Sequence, residues 1–216
     1  GLYLGHTCAA MDKDGIILDN GVRVPADMVI MSIGVRPDTG FLKDSAIELG
    51  ARGEILVNQY METSAEDVYA LGDAVSVKHV VSGQKVLIPL ASPANKQGRI
   101  AADNICGGSS VYRGAQGSFV LKLFDLTAAA TGINEQTARE AGIGCDKIYL
   151  SPSSHAGYYP GGQAMTIKVV FETGTFRLLG AQIVGREGVD KRIDVLAAAI
   201  RAGMTGPELS ELDLAY

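Results

Sequence analysis

The chain has no tryptophan, only three cysteines and three histidines in 216 residues, and an aromatic content of 6%. Cys8, Cys106 and Cys145 are far apart and form no CxxC pair, which argues against a zinc or dithiol centre. Each is expected to be a small apolar residue, buried or half-buried, in a reducing cytoplasm. His6, His79 and His155 are equally scattered, so no metal site is expected. There is no Lys/Arg run, and the formal charge is −5; this argues against a nucleic-acid or anionic-membrane partner, since both call for basic stripes. Apolar runs such as 28–31 and 195–200 fall far short of the roughly 18 residues of a membrane span. No signal peptide is read, and no GxGxxG occurs.

What is present is ordinary globular chemistry, 47% apolar and 20% charged, enough to bury a core in one or two domains. The first segment reads as β-rich, with turns at Asp12-Lys13-Asp14-Gly15 and Asp19-Asn20-Gly21; Asn-Gly between apolar runs is a hairpin signal. The run 28–33 does not alternate and predicts a strand buried on both faces, ending before Pro37. A helix over 41–48 and a strand over 55–57 follow. Residues 68–71, closed by Gly72, predict a second buried strand. Ser92 can cap and Pro93 open a helix running to about Cys106, where Gly107-Gly108 stops it.

The glycine-bearing connector 112–117 marks a change of style. Beyond it the pattern predicts strands over 119–124, 128–131, 147–150, 166–171 and 178–184, the last two joined by a hairpin at 172–175. Alternation over 166–171 predicts one wet face. A short helix capped by Asn134, a long one over 189–202, and a last one opened by a Thr205/Glu208 capping box complete the reading. On the long helix, Val189, Ile193, Leu196, Ala197 and Ile200 form one apolar stripe.

The stretch TSAEDVYALGDAV, residues 63–75, carries the most chemistry. Thr63, Ser64, Glu66 and Asp67 are turn and cap residues, Gly72 lacks a Cβ, and Asp73 offers an ionised acceptor. A carboxylate at a strand's carboxyl end suits a polyol or ribose hydroxyl, and free N–H groups of the Pro93 helix suit a flavin carbonyl.

This stretch resembles the second flavin-binding motif of the FAD-dependent pyridine nucleotide-disulfide oxidoreductases. Residues 26–38, ADMVIMSIGVRPD, resemble the hand-back from that family's NAD domain to its FAD domain, and residues 88–98, IPLASPANKQG, the helix entry beside the flavin. From about Gly117 the chain resembles the family's C-terminal dimerisation domain, so the likeness covers essentially all of it. SHAGYYPG at 154–161, DKRID at 190–194 and LDLAY at 212–216 look most like the coenzyme A-disulfide reductase and persulfide reductase branch, whose nearest relatives are NADH oxidases.

The resemblance implies a mixed α/β and α+β fold: residues 1–40 as the tail of the NAD-binding domain, 41–116 as the second half of the FAD-binding domain, and 117–216 as a truncated dimerisation domain. It implies FAD, NAD(P)H and coenzyme A as cofactors and ligands. Gly72 and Asp73 would lie on the ribitol and pyrophosphate side of the flavin, and Ala91, Ser92, Pro93 and Ala94 beside the isoalloxazine. Tyr158 and Tyr216 resemble interface tyrosines that reach the partner subunit's cysteine and thiol substrate, with Tyr159 able to exchange roles with Tyr158. Arg36, Lys96, Lys191 and Arg192 are read as solvated charges or ion pairs.

The family also works through Gly-rich fingerprints and a redox cysteine beside the flavin, and neither occurs here. The expectation is therefore the carboxyl-terminal part of a longer cytoplasmic, homodimeric flavoprotein that passes electrons from NAD(P)H through FAD to a CoA disulfide or persulfide. Oxygen reduction, as an NADH oxidase, is the alternative. The isolated chain is expected to be inactive, to hold neither FAD nor NAD(P)H tightly, and to act at most as a dimerisation module.

Overall fold

The computed structural model describes residues 1–215. The chain divides into two compact units, residues 1–35 and residues 36 onward.

In the first unit β1 (Cys8–Asp12), β2 (Gly15–Leu18) and β3 (Arg23–Pro25) form an antiparallel meander in that order. Both turns fall where the Asp/Asn-Gly signals place them, and Leu18 N–H donates to Val22 O across the second. Gly15 is at φ 138°, and a Cβ there would sit 2.2 Å from Val24 O, so glycine is required for β2 and β3 to close up. The strand expected over 28–33 does not form. These residues pair with no strand, and Met28, Ile30 and Ile33 are about four-fifths exposed. A run of this kind needs sheet neighbours on both edges, and the unit supplies none.

The second unit opens with a 3₁₀ turn at Gly40–Leu42 where a helix over 41–48 was expected. Its first sheet has the order β4 (Ile55–Leu56), β5 (Val75–Lys78), β6 (Lys85–Leu87), with β4 and β5 parallel and β5 and β6 antiparallel. Residues 68–71 are not the expected strand; only Tyr69 forms an isolated bridge, to Glu62. The helix α1 (Ala91–Ile105) follows, with Pro93, Gln97, Ala101 and Asn104 on its buried face. Asn104 closes the far end: its amide donates to Tyr60 O and Ser110 O and accepts from Ser110 N–H.

The larger sheet is antiparallel throughout, in the order β7 (Phe119–Leu123), β8 (Leu126–Gly132), β11 (Leu178–Gly185), β10 (Met165–Glu172), β9 (Cys145–Leu150). α3 (Val189–Ala202) packs on β8 and β11 through Val189, Ile193, Leu196, Ala199 and Ile200. The expected stripe is right except that Ala199 replaces Ala197. Val170 of β10 is also buried, beside Ala138 of α2 (Glu135–Glu140), so the face expected to be wet is dry at that point. Asn134 caps α2 by accepting from Thr137 N–H, and the Thr205/Glu208 capping box opens α4 (Gly206–Ser210).

Beside α2, Glu135 accepts from Lys168 and pairs with Lys147 at 3.0 Å. The Lys168 hydrogen bond, supported by Lys147, holds the Glu135 carboxyl at about 2 instead of its ordinary 4.5.

Candidate functional site

Gly72, Asp73 and Ala74 form a single 3₁₀ turn that leads into β5. Asp73 therefore precedes a strand, where the sequence had suggested that it closes one. Gly72 sits at φ 84°, a conformation that disfavours any side chain, while a Cβ there would meet nothing within 4 Å. The glycine is thus demanded by backbone angle, and the space beside it is open. Asp73 is exposed.

The turn packs against α1, and its position is fixed by one hydrogen bond: Gly72 N–H donates to Oε1 of Gln97 at 2.7 Å. Gln97 is 1% exposed, so the acceptor is held in a dry, well-packed place. α1 begins two residues earlier than expected. Its N-cap is Leu90, which offers no side-chain acceptor, and Ser92 lies inside the first turn. The first intrahelical bond runs from Ala94 N–H to Leu90 O, and Leu90 N–H is taken by Ile88 O. The N–H groups of Ala91 and Ser92 are left without a helical acceptor, and Pro93 has no N–H to satisfy. Both Ala91 and Ser92 are exposed. An open turn with an exposed carboxylate, fastened through Gln97 to a helix whose N-terminus is uncapped, fits a ligand that brings hydroxyls to one side and an electron-rich carbonyl to the other.

Tyr158 lies in a different element, the loop between β9 and β10, and is 81% exposed. The loop is braced at its base. Ser154 N–H donates to Gln163 O, Ser153 bridges Ala164, and Arg192 of α3 donates to Ser154 O at 2.7 Å and Gly188 O at 3.1 Å. The His155 and Tyr159 rings meet edge to face at 5.5 Å. Arg192, read from sequence as a solvated charge or ion pair, is instead a backbone clamp. Tyr216 lies outside the described residues.

All three cysteines are free thiols; Cys8 and Cys106 are exposed, against expectation, and Cys145 is half-buried. Cys8 lies in the outer strand β1 and Cys106 at the C-cap of α1. Among the described residues no group of His, Cys, Asp and Glu could hold a metal ion, and no helix is long and apolar enough to cross a membrane.

Residues 2–98 match the family model for the pyridine nucleotide-disulphide oxidoreductases, and residues 119–214 match the model for the same family's dimerisation domain. The chain belongs to this family. The pyridine nucleotide-disulphide oxidoreductases similar to it include the NAD(P)H sulfur oxidoreductase (CoA-dependent) of Pyrococcus furiosus, 38% identical over 93% of this chain and 45% of that protein. The coenzyme A disulfide reductase of Staphylococcus aureus is 32% identical over 99% of this chain and 48% of its own length. Among solved structures, the NAD-dependent persulfide reductase from A. fulgidus superposes with a TM-score of 0.88 at 42% identity, covering 93% of this chain and 37% of that one. The chain thus spans less than half the length of these relatives.

Sequence reasoning missed Gln97. Its signal was available: it is a polar residue inside the buried stripe of α1, four residues after Pro93 and four before Ala101, and a buried amide needs a partner.

Proposed function

We propose that this chain supplies the flavin-facing turn, the flavin-facing helix and the dimerisation domain of an NAD(P)H- and FAD-dependent reductase of coenzyme A disulfides or persulfides. The observation that carries the proposal is the Gly72–Ala74 turn fastened by Gln97, in the second turn of α1, to a helix whose N-terminus is uncapped. The activities named for the similar proteins support the substrate class.

In this reading Asp73, on the pyrophosphate side of the flavin, accepts hydrogen bonds from ribitol hydroxyls of FAD, and the N–H groups of Ala91 and Ser92 donate to an isoalloxazine carbonyl. FAD, when bound, supplies the two-electron chemistry between nicotinamide and thiol. Gln97 keeps turn and helix at a fixed spacing, so that both ends of the site engage one ligand. Pro93 and Ala94 present no donor or charge and leave the flavin face dry. Tyr158 donates its phenolic proton in a hydrogen bond to sulfur as a thiolate develops. No redox role falls to Cys8, Cys106 or Cys145. Residues 1–40, 41–116 and 117–216 correspond to the NAD-binding tail, the FAD-binding part and the dimerisation domain, and the dimerisation domain pairs two copies of the protein.

The test is NAD(P)H-dependent turnover of CoA disulfide by the flavin-loaded protein that carries this chain. Tyr158→Phe should lower kcat by about 100-fold, in the range of lost proton-donor assistance, with the flavin spectrum unchanged. Undiminished turnover removes Tyr158 from its role. An enzyme that consumes oxygen at the same rate with and without disulfide points to the oxidase alternative.

A further inference from the structure

The loop between β9 and β10 carries Tyr158 on a stretch that is mobile by composition. From Gly157 to Gly162 every residue is exposed, and three of these six are glycine; such a loop keeps one place only if its base is tied down. The base is a short ladder. Ser154 N–H donates to Gln163 O at 2.8 Å, Gln163 N–H to Ser154 Oγ at 3.0 Å, and Met165 N–H to Pro152 O at 3.0 Å.

Arg192 joins that ladder to α3. Its Nη1 folds back on the first turn of its own helix and donates to Gly188 O at 3.1 Å, while Nη2 reaches outward to Ser154 O at 2.7 Å and Ser153 O at 3.5 Å. Ser154 lies four residues before Tyr158. Arg192 is half-buried and in no ion pair among the described residues, so its charge meets backbone carbonyls. A planar fork of donors can hold two segments at once, and charge-assisted bonds are shorter and stronger than neutral ones. Gly188 makes the room: it sits at φ 70°, and a Cβ there would lie 2.6 Å from Arg192 Nη1.

We infer that Arg192 is a positioning residue for Tyr158, holding the neck of the loop on α3 so that the phenol is presented to sulfur in one place. The inference rests on the role given to Tyr158 above. A reacting group carried on a loop has to be fixed from a rigid element, because a misplacement of about 1 Å already slows the reaction.

Hydrogen–deuterium exchange and CoA-disulfide turnover of the flavin-loaded protein that carries this chain test it together. In Arg192→Gln, exchange over 152–164 should quicken about ten-fold or more while β10 and β11 keep their protection. Its kcat should fall by about ten- to a hundred-fold with the flavin spectrum unchanged. Arg192→Lys keeps the charge but not the fork; it should show both changes at smaller size, and it serves where Arg192→Gln does not fold. Added to Tyr158→Phe, Arg192→Gln should lower kcat no further, because both act through one phenol. Unchanged exchange over 152–164, or the same loss of kcat with and without the Tyr158 phenol, overturns the inference. Full turnover by Tyr158→Phe alone overturns instead the role of Tyr158 on which it rests, and the exchange measurement then decides by itself whether Arg192 holds the loop.

Discussion

At the scale of single residues, a half-buried ion pair and a buried imidazole contribute to how the fold meets acid, beside the hydrogen-bonded carboxylates Asp12, Asp19, Glu172 and Glu208, which are also held below their ordinary range. His79 is buried, its Nδ1 accepting from Val81 and Ser82 N–H, and burial pushes its pKa below 6.5. Glu135 is held at about 2. Both are depressed in the folded chain, so the unfolded chain binds protons first and stability falls as pH drops. The His79 contribution is present above pH 6.5 and is lost below it. The Glu135 contribution is present above 4.5 and is lost between there and about 2. Thermal midpoints measured from pH 7 to pH 3 should show both losses, and Glu135→Gln should lower stability at pH 7 by about 1 kcal/mol while flattening the lower part of the curve. A variant whose midpoint falls as steeply as the parent's below pH 4.5 would show that the Lys168 and Lys147 contacts do not hold the carboxylate down.

At the scale of elements, the second half of the chain was legible because its signals are local and agree with one another. Asn134, the Thr205/Glu208 box, Gly203 after α3 and the period of Val189, Ile193, Leu196 and Ile200 each act within one turn of helix. Leu196 is buried against the sheet, so Leu196→Ala should cost about 3 kcal/mol in urea unfolding, against about 1 kcal/mol for the cap variant Thr205→Ala. Equal losses would mean that α3 is not seated on β8 and β11. The first half was read less well for a physical reason. Runs such as 28–33 and 68–71 carry no period of their own and take their structure from neighbours, which a sequence does not name. The site shows the same division. Asp73 and Ala91 to Ala94 were visible as a motif, whereas the Gln97 tie and the Arg192 clamp arise only when distant segments meet.

At the scale of the whole molecule, the larger sheet carries an apolar groove of about 550 Å³ in which Ile148, Leu150, Phe171, Phe176, Leu209 and Leu214 take part. The dimerisation-domain match over 119–214 leads us to propose that a second copy seats in this groove. Sedimentation at micromolar concentration should show a dimer, and Ile148→Glu/Leu150→Glu should weaken it by at least about thirty-fold, the effect of losing an interface anchor; an unshifted dimer would place the contact elsewhere. The run that contains Met28, Ile30 and Ile33 has a different consequence. In the chain by itself, an exposed apolar segment whose peptide groups pair with no strand is a template for cross-β growth, so aggregation of the isolated chain should start here, and Ile30→Lys should slow it as a gatekeeper.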